Sequence, residues 1–535
     1  MPAAILLGIV ALILMIAATT YSMGRIGDHD RRRDRVVAMP VVDTAVTRLK
    51  TGLEQNLLAE HRDYRPEQDD MEQLIAGSSA TLIPGSVISP AIPGTGDHPY
   101  PMLDVTVREP IKPGLSGYWQ LLRIFAPEYT DPADEGVVVA YLRAWTAPTA
   151  TPAAGTEPRL VRVEFRPGRF ADYQAVIDGP IVFGGGATLN GPIHSNGFDD
   201  ERSNFLELLS GVPERVSTVD GATVSCFGSA QITTAEGTIA TSRFPGCPAQ
   251  ANTRRYVNLL AAEGAFDRIR TACAEGAPNA RCFDTTLEGS SVPDWIAQKA
   301  PDLRGYRVQL EATRVIVSGY EIDHLSETAQ PYAPAGLTVV DTPPGSTTVL
   351  FFADNVLVSG TTNARVTIAA RKPGEWTTNV KSGAANIYVG GNTTHEGDGS
   401  VLGLMAQGGV ILEAIKAAGG GAACTSELRA GIVAMSGTLT IDPRYTTRLY
   451  QAGAPSCPQI TVRGSIAAHR SPVLIWSWAN RPEHAGYLVR DYRWSDSLRR
   501  NPPPYFPTTD TWEARHVRPA NLDCFSGGDI TDPDC

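Results

Sequence analysis

The sequence predicts a mainly β protein in which a long N-terminal helix with a β headpiece carries a β-solenoid domain, of the right-handed parallel β-helix kind. Three observations lead there. Glycine (51) and proline (40) make up about 17% of the 535 residues, against an average near 12%, while charged residues are only 19%. The first 24 residues carry no charged side chain and lead into apolar residues at helical spacing. From residue 179 onward, short apolar runs alternate with glycine. At 42% hydrophobic, the chain can bury a large core spread over two or three units, and whole-chain disorder is excluded. A formal charge of -11 argues against a general binder of polyanions, although a local basic patch fits within an acidic total.

Residues 1–24 are the expected hydrophobic anchor. Ile5 to Ala18 is unbroken by anything polar, and about 20 such residues rising about 1.5 Å each reach the thickness of a bilayer core. The segment is read as retained rather than as a cleaved signal peptide, because Pro2, Ala3 and Ala4 offer no basic leader. Arg25, Arg31, Arg32, Arg33 and Arg35 follow it, and the positive-inside rule would hold that end in the cytoplasm, against an exported body.

Residues 25–75 are expected as an amphipathic helix. Val42, Val46, Leu49, Leu53 and Leu57 fall on one stripe, and Asp43, Arg48, Lys50, Glu54 and Glu60 on the other face. Pro40 should kink it. An apolar helix running into an amphipathic one, ahead of a β-rich head, resembles the type IV pilins, in particular the PilX-like minor pilins. The resemblance implies other pilins or pilus assembly proteins as partners and a membrane contact through the N-terminal helix.

Residues 76–178 read as the β headpiece, with candidate strands Met102 to Val107, Gly136 to Trp145 and Leu160 to Phe165 between Pro-rich turns. Residues 179–470 read as the solenoid. Two or three strands lie in Ile181 to Gly197, and later runs begin near 349, 356, 366, 386, 401, 410, 431, 439 and 460. The longer intervals suit one coil of a solenoid, with glycine or asparagine at the corners. A two-sheet sandwich is the competing architecture, less suited to strands this short and irregularly spaced. A helical insertion is expected at about 251–305, from apolar positions 256, 259, 260, 266 and 269, with a second short helix near Trp295. The runs 347–370, 386–396 and 401–412, with GPIHSNG at 191–197 and the segment 486–507, resemble an uncharacterised domain of pilus-associated and surface proteins. The layout is similar to competence-associated minor pilins with a solenoid in the head, which implies a pilus that takes up DNA.

Eight cysteines, none in a C-x-x-C, pair as sequence neighbours: Cys226 with Cys247, Cys273 with Cys282, Cys424 with Cys457, and Cys524 with Cys535. Four disulfides imply an oxidising compartment. The alternative is buried free thiols in a cytosolic protein.

Residues 471–535 form an arginine- and aromatic-rich C-terminal segment. Arg490, Arg493, Arg499 and Arg500 with Trp476, Trp478, Trp494 and Tyr492 are the candidate nucleic-acid surface, since guanidinium forks grip phosphates while aromatic faces stack on bases. The alternative is that the aromatics close the solenoid end and the arginines pair with Glu483, Asp491, Asp496, Asp510 and Glu513. Catalytic signals are weak. His395, Glu396 and Asp398 form the one dense polar loop, more simply a solvated turn than a calcium site. His194 and Ser195 lack a nucleophile elbow and an acidic third member. Gly184–Gly186 and Gly419–Gly421 lack the context of a phosphate loop. The expectation is a non-enzymatic protein without cofactor or metal, anchored in the cell envelope with its body at a pilus or the cell surface, acting in adhesion or ligand binding. DNA and surface glycans are the candidate ligands. The rival functions are a DNA-binding pilus tip for natural transformation and a polysaccharide-active β-helix enzyme.

Overall fold

The computed structural model describes residues 39–53 apart from 52, 107–125 apart from 113–114, 136–147, 159–251 apart from 184–186, 198–213, 219–222 and 236, 256–284 apart from 260, 304–321, 338–372, 384–441 apart from 398, 414 and 417–421, 456–477, and 484–520. The expected anchor, Leu57 of the helical stripe, the second helix near Trp295 and the pair Cys524/Cys535 lie outside them. Among the described residues no helix is long and apolar enough to cross a membrane. The fold is mainly β, and the chain divides into two compact units.

The first unit comprises Met1–Tyr129, Glu135–Pro167 and Thr511–Cys535. Residues 39–51 are helical, with Pro40 in the first described turn. Val41, Val42, Ala45, Leu49 and Leu53 are buried from this helix, with Val46 half-buried beside them. They pack on Trp119, Leu121, Leu142, Val163, Phe165 and Trp512. These come from a five-stranded sheet ordered Val107–Lys112, Leu115–Phe125, Val138–Ala147, Arg159–Arg169 and Thr508–Pro519, the first four antiparallel to one another. Two strands here differ from the sequence expectation. Val107–Lys112 contains Pro110 and is an edge strand, the place where a missing N–H is tolerated. Leu115–Phe125 was not expected, because a register shift between Leu121 and Arg123 breaks its alternation.

The second unit comprises Thr130–Asp134 and Gly168–Asp510. Its backbone is dominated by parallel ladders. The first runs Ala280–Phe283, Thr347–Phe352, Arg365–Ala370, Val401–Ala406, Glu427–Ala434, Ser456–Ala468, Ala175–Ile177, Pro192–Ser195, Gln231–Thr234 and Ala249–Gln250, each parallel to the next. A second runs Arg304–Leu310, Asn355–Thr362, Ile387–His395, Val410–Leu412 and Leu439–Ile441. In a third, the first half of Ser456–Ala468 lies between Glu427–Ala434 and His484–Arg493, which continues to Ala187–Leu189 and Ser225–Cys226. Inward positions fill one core, among them Phe352, Ile368, Leu404, Ile432, Ile466, Ile177 and Ile193.

Three features add to the sequence reading. The ladder does not follow chain order: Ala175–Ile177 stacks on Ile466–Ala468, so strands from the start of the unit extend a stack begun by later ones. The region 251–305 is not wholly helical, since after the helix Ala261–Ala274 the strand Ala280–Phe283 joins the first ladder, its Cys282 tied to Cys273. Within the segment 471–535, His484–Arg493 belongs to the third ladder and Thr508–Pro519 to the sheet of the first unit.

Candidate functional site

A line of polar side chains occupies the corner just past the first ladder. The register Phe283, Phe352, Ala370, Ala406, Ala434, Ala468, Ile177, Ser195 fixes it. One residue further lie Asp284, Ala353, Arg371, Gln407, Met435, His469, Asp178 and Asn196, six of them polar. Where a strand stops, its last carbonyls and the next N–H groups lose ladder partners, and side chains that bond in both directions meet them. Gln407 Oε1 accepts from the N–H groups of Lys372 and Ala385, at 3.1 and 3.2 Å. Arg371 reaches Asp267 (2.7 Å) and Glu263 (3.6 Å) on the helix Ala261–Ala274, and Arg270 of that helix reaches Asp284 at 3.1 Å.

The densest part is the Asp178 cluster. Its carboxylate accepts from Tyr256 Oη (2.5 Å), Asn196 Nδ2 (2.9 Å) and His469 Nδ1 (3.0 Å). Burial alone would push this carboxyl up; the donors from His469, Tyr256 and Asn196 outweigh it and hold Asp178 below its ordinary value. Asn196 is oriented without ambiguity, since its Nδ2 also donates to Val257 O and its Oδ1 accepts from Val257 N. His194 Nε2, 3.2 Å from that same Oδ1, therefore carries the proton, and Nδ1 faces the Thr233 hydroxyl at 3.0 Å. Ser195 donates to Gly179 O at 2.9 Å and accepts from Gly197 N at 3.2 Å. His194 and Ser195 thus sit in a hydrogen-bonded corner, each bound to groups other than the other.

The strand Ile387–His395 ends on a half-buried His395, whose Nδ1 lies 3.3 Å from Ser400 Oγ in the loop that follows. Burial, then the charges of Arg429 and Arg463, lower its pKa to about 4. Glu396 beside it is exposed, and Asp398 lies outside the described residues. Among the described residues, no group of three or more His, Cys, Asp or Glu side chains is placed to hold a metal ion.

The described candidate nucleic-acid residues divide between interior and surface. Arg490 is only 5% exposed, and burial lowers its pKa; its Nη1 donates to Tyr487 O at 3.3 Å. Tyr492 is buried too, its hydroxyl pushed up to about 12 by burial and eased down by Arg490. Both face inward because they are Cα partners of the core positions Ile460 and Val462. Trp494 donates from Nε1 to Ala171 O at 3.0 Å, and its Cβ and Cγ lie on Gly191. Arg499 and Arg500 both bind Asp496, at 2.9 Å each, and Arg493 binds Asp491 at 2.6 Å. Trp476 lies in the strand Ile475–Ser477, its side chain and Trp478 outside the described residues. The arrangement is that of a strap: Leu498, Tyr505 and Phe506 join the cluster that covers the outward face of the first ladder.

Three disulfides join Cys226 to Cys247, Cys273 to Cys282 and Cys424 to Cys457, and no described cysteine is free. Sequence reasoning picked out His194 and Ser195 but missed Asp178, Tyr256, Asn196 and His469. Asp178 and His469 share one signal, a polar residue immediately after an apolar run, which becomes visible only once the strands are in register.

No protein-family model matches the chain, and no curated protein matches it. A remote likeness exists to the crystal structure of the competence-associated pilin ComZ from Thermus thermophilus. It covers 75% of this chain and 84% of that one, at 11% identity and a TM-score of 0.26. That is too distant to fix either fold or role.

Proposed function

We propose that the chain is a non-enzymatic minor or tip component of a type IV pilus-like fibre, anchored by residues 1–24 and displaying a β-solenoid for adhesion or ligand binding. The observation that carries this reading is the first unit: a helix whose stripe Val42, Ala45, Leu49 and Leu53 is buried on a β-sheet, in sequence after an uncharged apolar segment. A helix of that kind packs one face on its own headpiece and leaves its apolar extension to a membrane or to neighbouring copies in a fibre. The parallel ladders of the second unit are read as solenoid coils, a geometry that presents long regular outer faces. Display rather than catalysis is supported by Ser195 and His194, whose bonds to Gly179, Thr233 and Asn196 leave neither aimed at the other.

The test is the location and mature N-terminus of the protein. Recovery in a sheared fibre fraction, with the apolar segment still attached by mass spectrometry and lost from that fraction when residues 1–24 are deleted, is the expected result. A soluble exported chain that begins near residue 20 to 25 and is absent from fibres would overturn it.

A further inference from the structure

On the outward side of the third ladder, Arg429, Arg463 and Arg493 are Cα partners on three adjacent parallel strands. Their side chains therefore stand in one row, about 4.8 Å from strand to strand. Like charges placed directly opposite one another weaken a ladder. Two of the three are offset by an acid two residues earlier on the same strand: Arg429 Nε lies 2.6 Å from Glu427 Oε1, and Arg493 Nε 2.6 Å from Asp491 Oδ2. The middle strand breaks the pattern. Glu427, Thr461 and Asp491 are Cα partners, so Thr461 stands where the others have a carboxylate. Nε of Arg463 is buried and has no hydrogen-bond partner. The same positive field reaches His395, on which Arg429 and Arg463 act together, while Glu396 acts on Arg429 from the loop side. A central arginine deprived of its acid, between two others, costs stability and is what a site completed by an external anion requires.

We propose that Arg429, Arg463 and Arg493 bind an acidic polysaccharide, a chain of uronic acid units, with the Arg463 guanidinium gripping a sugar carboxylate. Glu427, Thr461 and Asp491 form the neighbouring row and take the sugar hydroxyls. The chemistry of that row favours a polysaccharide over a nucleic acid. Its two carboxylates accept hydrogen bonds from the free hydroxyls that each uronic acid unit carries and that a DNA backbone lacks. The nearby aromatics give no stacking platform, because Tyr492 points into the core and Trp494 is seated on Gly191. The proposal supplies a ligand class for the display surface and rests on the fibre reading only for where binding takes place.

The experiment uses the full chain purified in detergent, with polygalacturonate as probe, dextran as the neutral polymer and an oligothymidylate as the nucleic acid. Polygalacturonate is expected to bind more tightly than the oligonucleotide, more weakly as salt rises, with dextran not binding. Thr461→Glu, which supplies the missing acid, and Arg493→Gln, at an exposed position, should each weaken binding about tenfold or more, with the melting temperature preserved. No polygalacturonate binding at low salt, tighter binding of the oligonucleotide, or a folded Thr461→Glu variant that binds like the parent would overturn the assignment. Because binding is read on purified protein, its failure leaves the fibre reading standing, and absence from fibres leaves the binding site standing.

Discussion

Phe506 is seated on Gly431: a methyl group added to that glycine would come within 2.8 Å of the ring Cζ. Pro503 lies in the same way on Gly403, 2.8 Å from where a Cβ would be, and the two glycines are Cα partners on adjacent strands. Together they form a slot across the outer face of the first ladder. The segment through Pro502–Phe506 is held in it by Thr367 Oγ1 donating to Pro504 O (2.5 Å) and Arg365 Nη2 donating to Pro502 O (2.9 Å). The proline- and aromatic-rich stretch is accordingly a packing element, which accounts for its composition without a ligand.

Filling the slot should loosen the strap. Gly431→Ala forces the buried Phe506 ring or the backbone to move, and overpacking of this kind costs about 1–3 kcal/mol. The expected outcome is a lower denaturant midpoint together with faster proteolysis within 494–507. An unchanged midpoint would mean that the strap contributes little to holding the ladder. Gly464→Ala should cost more, since Gly464 has φ +152° and its added Cβ would meet the carbonyl of Ala430, which cannot swing aside as a ring can.

Much of the β content was legible because short apolar runs bounded by glycine, such as 349–352, 366–369 and 401–406, are strands whatever their partners. What was not legible is long range. Nothing local marks Ala175–Ile177 as the neighbour of Ile466–Ala468, or sets Arg429, Arg463 and Arg493 in one row, because register depends on which strand arrives beside which. The same limit explains the aromatic segment: Tyr492 and Arg490 alternate with charged residues as an exposed strand would, yet partners at Val462 and Ile460 turn both inward.

The three disulfides should rank by the chain they close. Sequence separations are 33 for Cys424–Cys457, 21 for Cys226–Cys247 and 9 for Cys273–Cys282. Each is expected to contribute about 2–4 kcal/mol, more for the longer loop. Replacing each pair by serine should lower the melting temperature in that order, and a larger loss for the Cys273–Cys282 pair than for Cys424–Cys457 would count against loop entropy as the dominant effect.

Asp178 should act as an acid-sensitive latch between the ladder and the segment carrying Tyr256. Its folded pKa lies below the ordinary 3.8, so its contribution is fully present above that value and is lost as pH falls through the folded pKa. Asp178→Asn keeps the shape but weakens three charge-assisted bonds, a loss of about 1–3 kcal/mol. The stability gap between parent and variant should be constant from pH 5 to 8 and close below pH 4. A gap that persists at lower pH would show that the carboxylate charge is not what matters.

His395 should impose an acid limit of the same sign, higher up the scale. Burial and the charges of Arg429 and Arg463 hold its folded pKa at about 4, while an unfolded chain takes up the proton near 6.5. Between those values the unfolded state binds more protons than the folded one, so stability rises with pH across this window. The contribution is complete above 6.5, declines as pH falls from 6.5 to about 4, and then levels off. The total is at most about 3.5 kcal/mol, at about 1.4 kcal/mol per pKa unit. Urea midpoints measured from pH 4 to 8 should show this slope in the parent and a flatter one in His395→Gln. The two-dimensional NMR signal of the ring should stay that of a neutral imidazole down to pH 5. Replacing Arg463 by glutamine removes one of the two charges responsible, so the ring should then titrate at a higher pH; an unmoved titration would leave burial and Arg429 as the causes and separate His395 from Arg463.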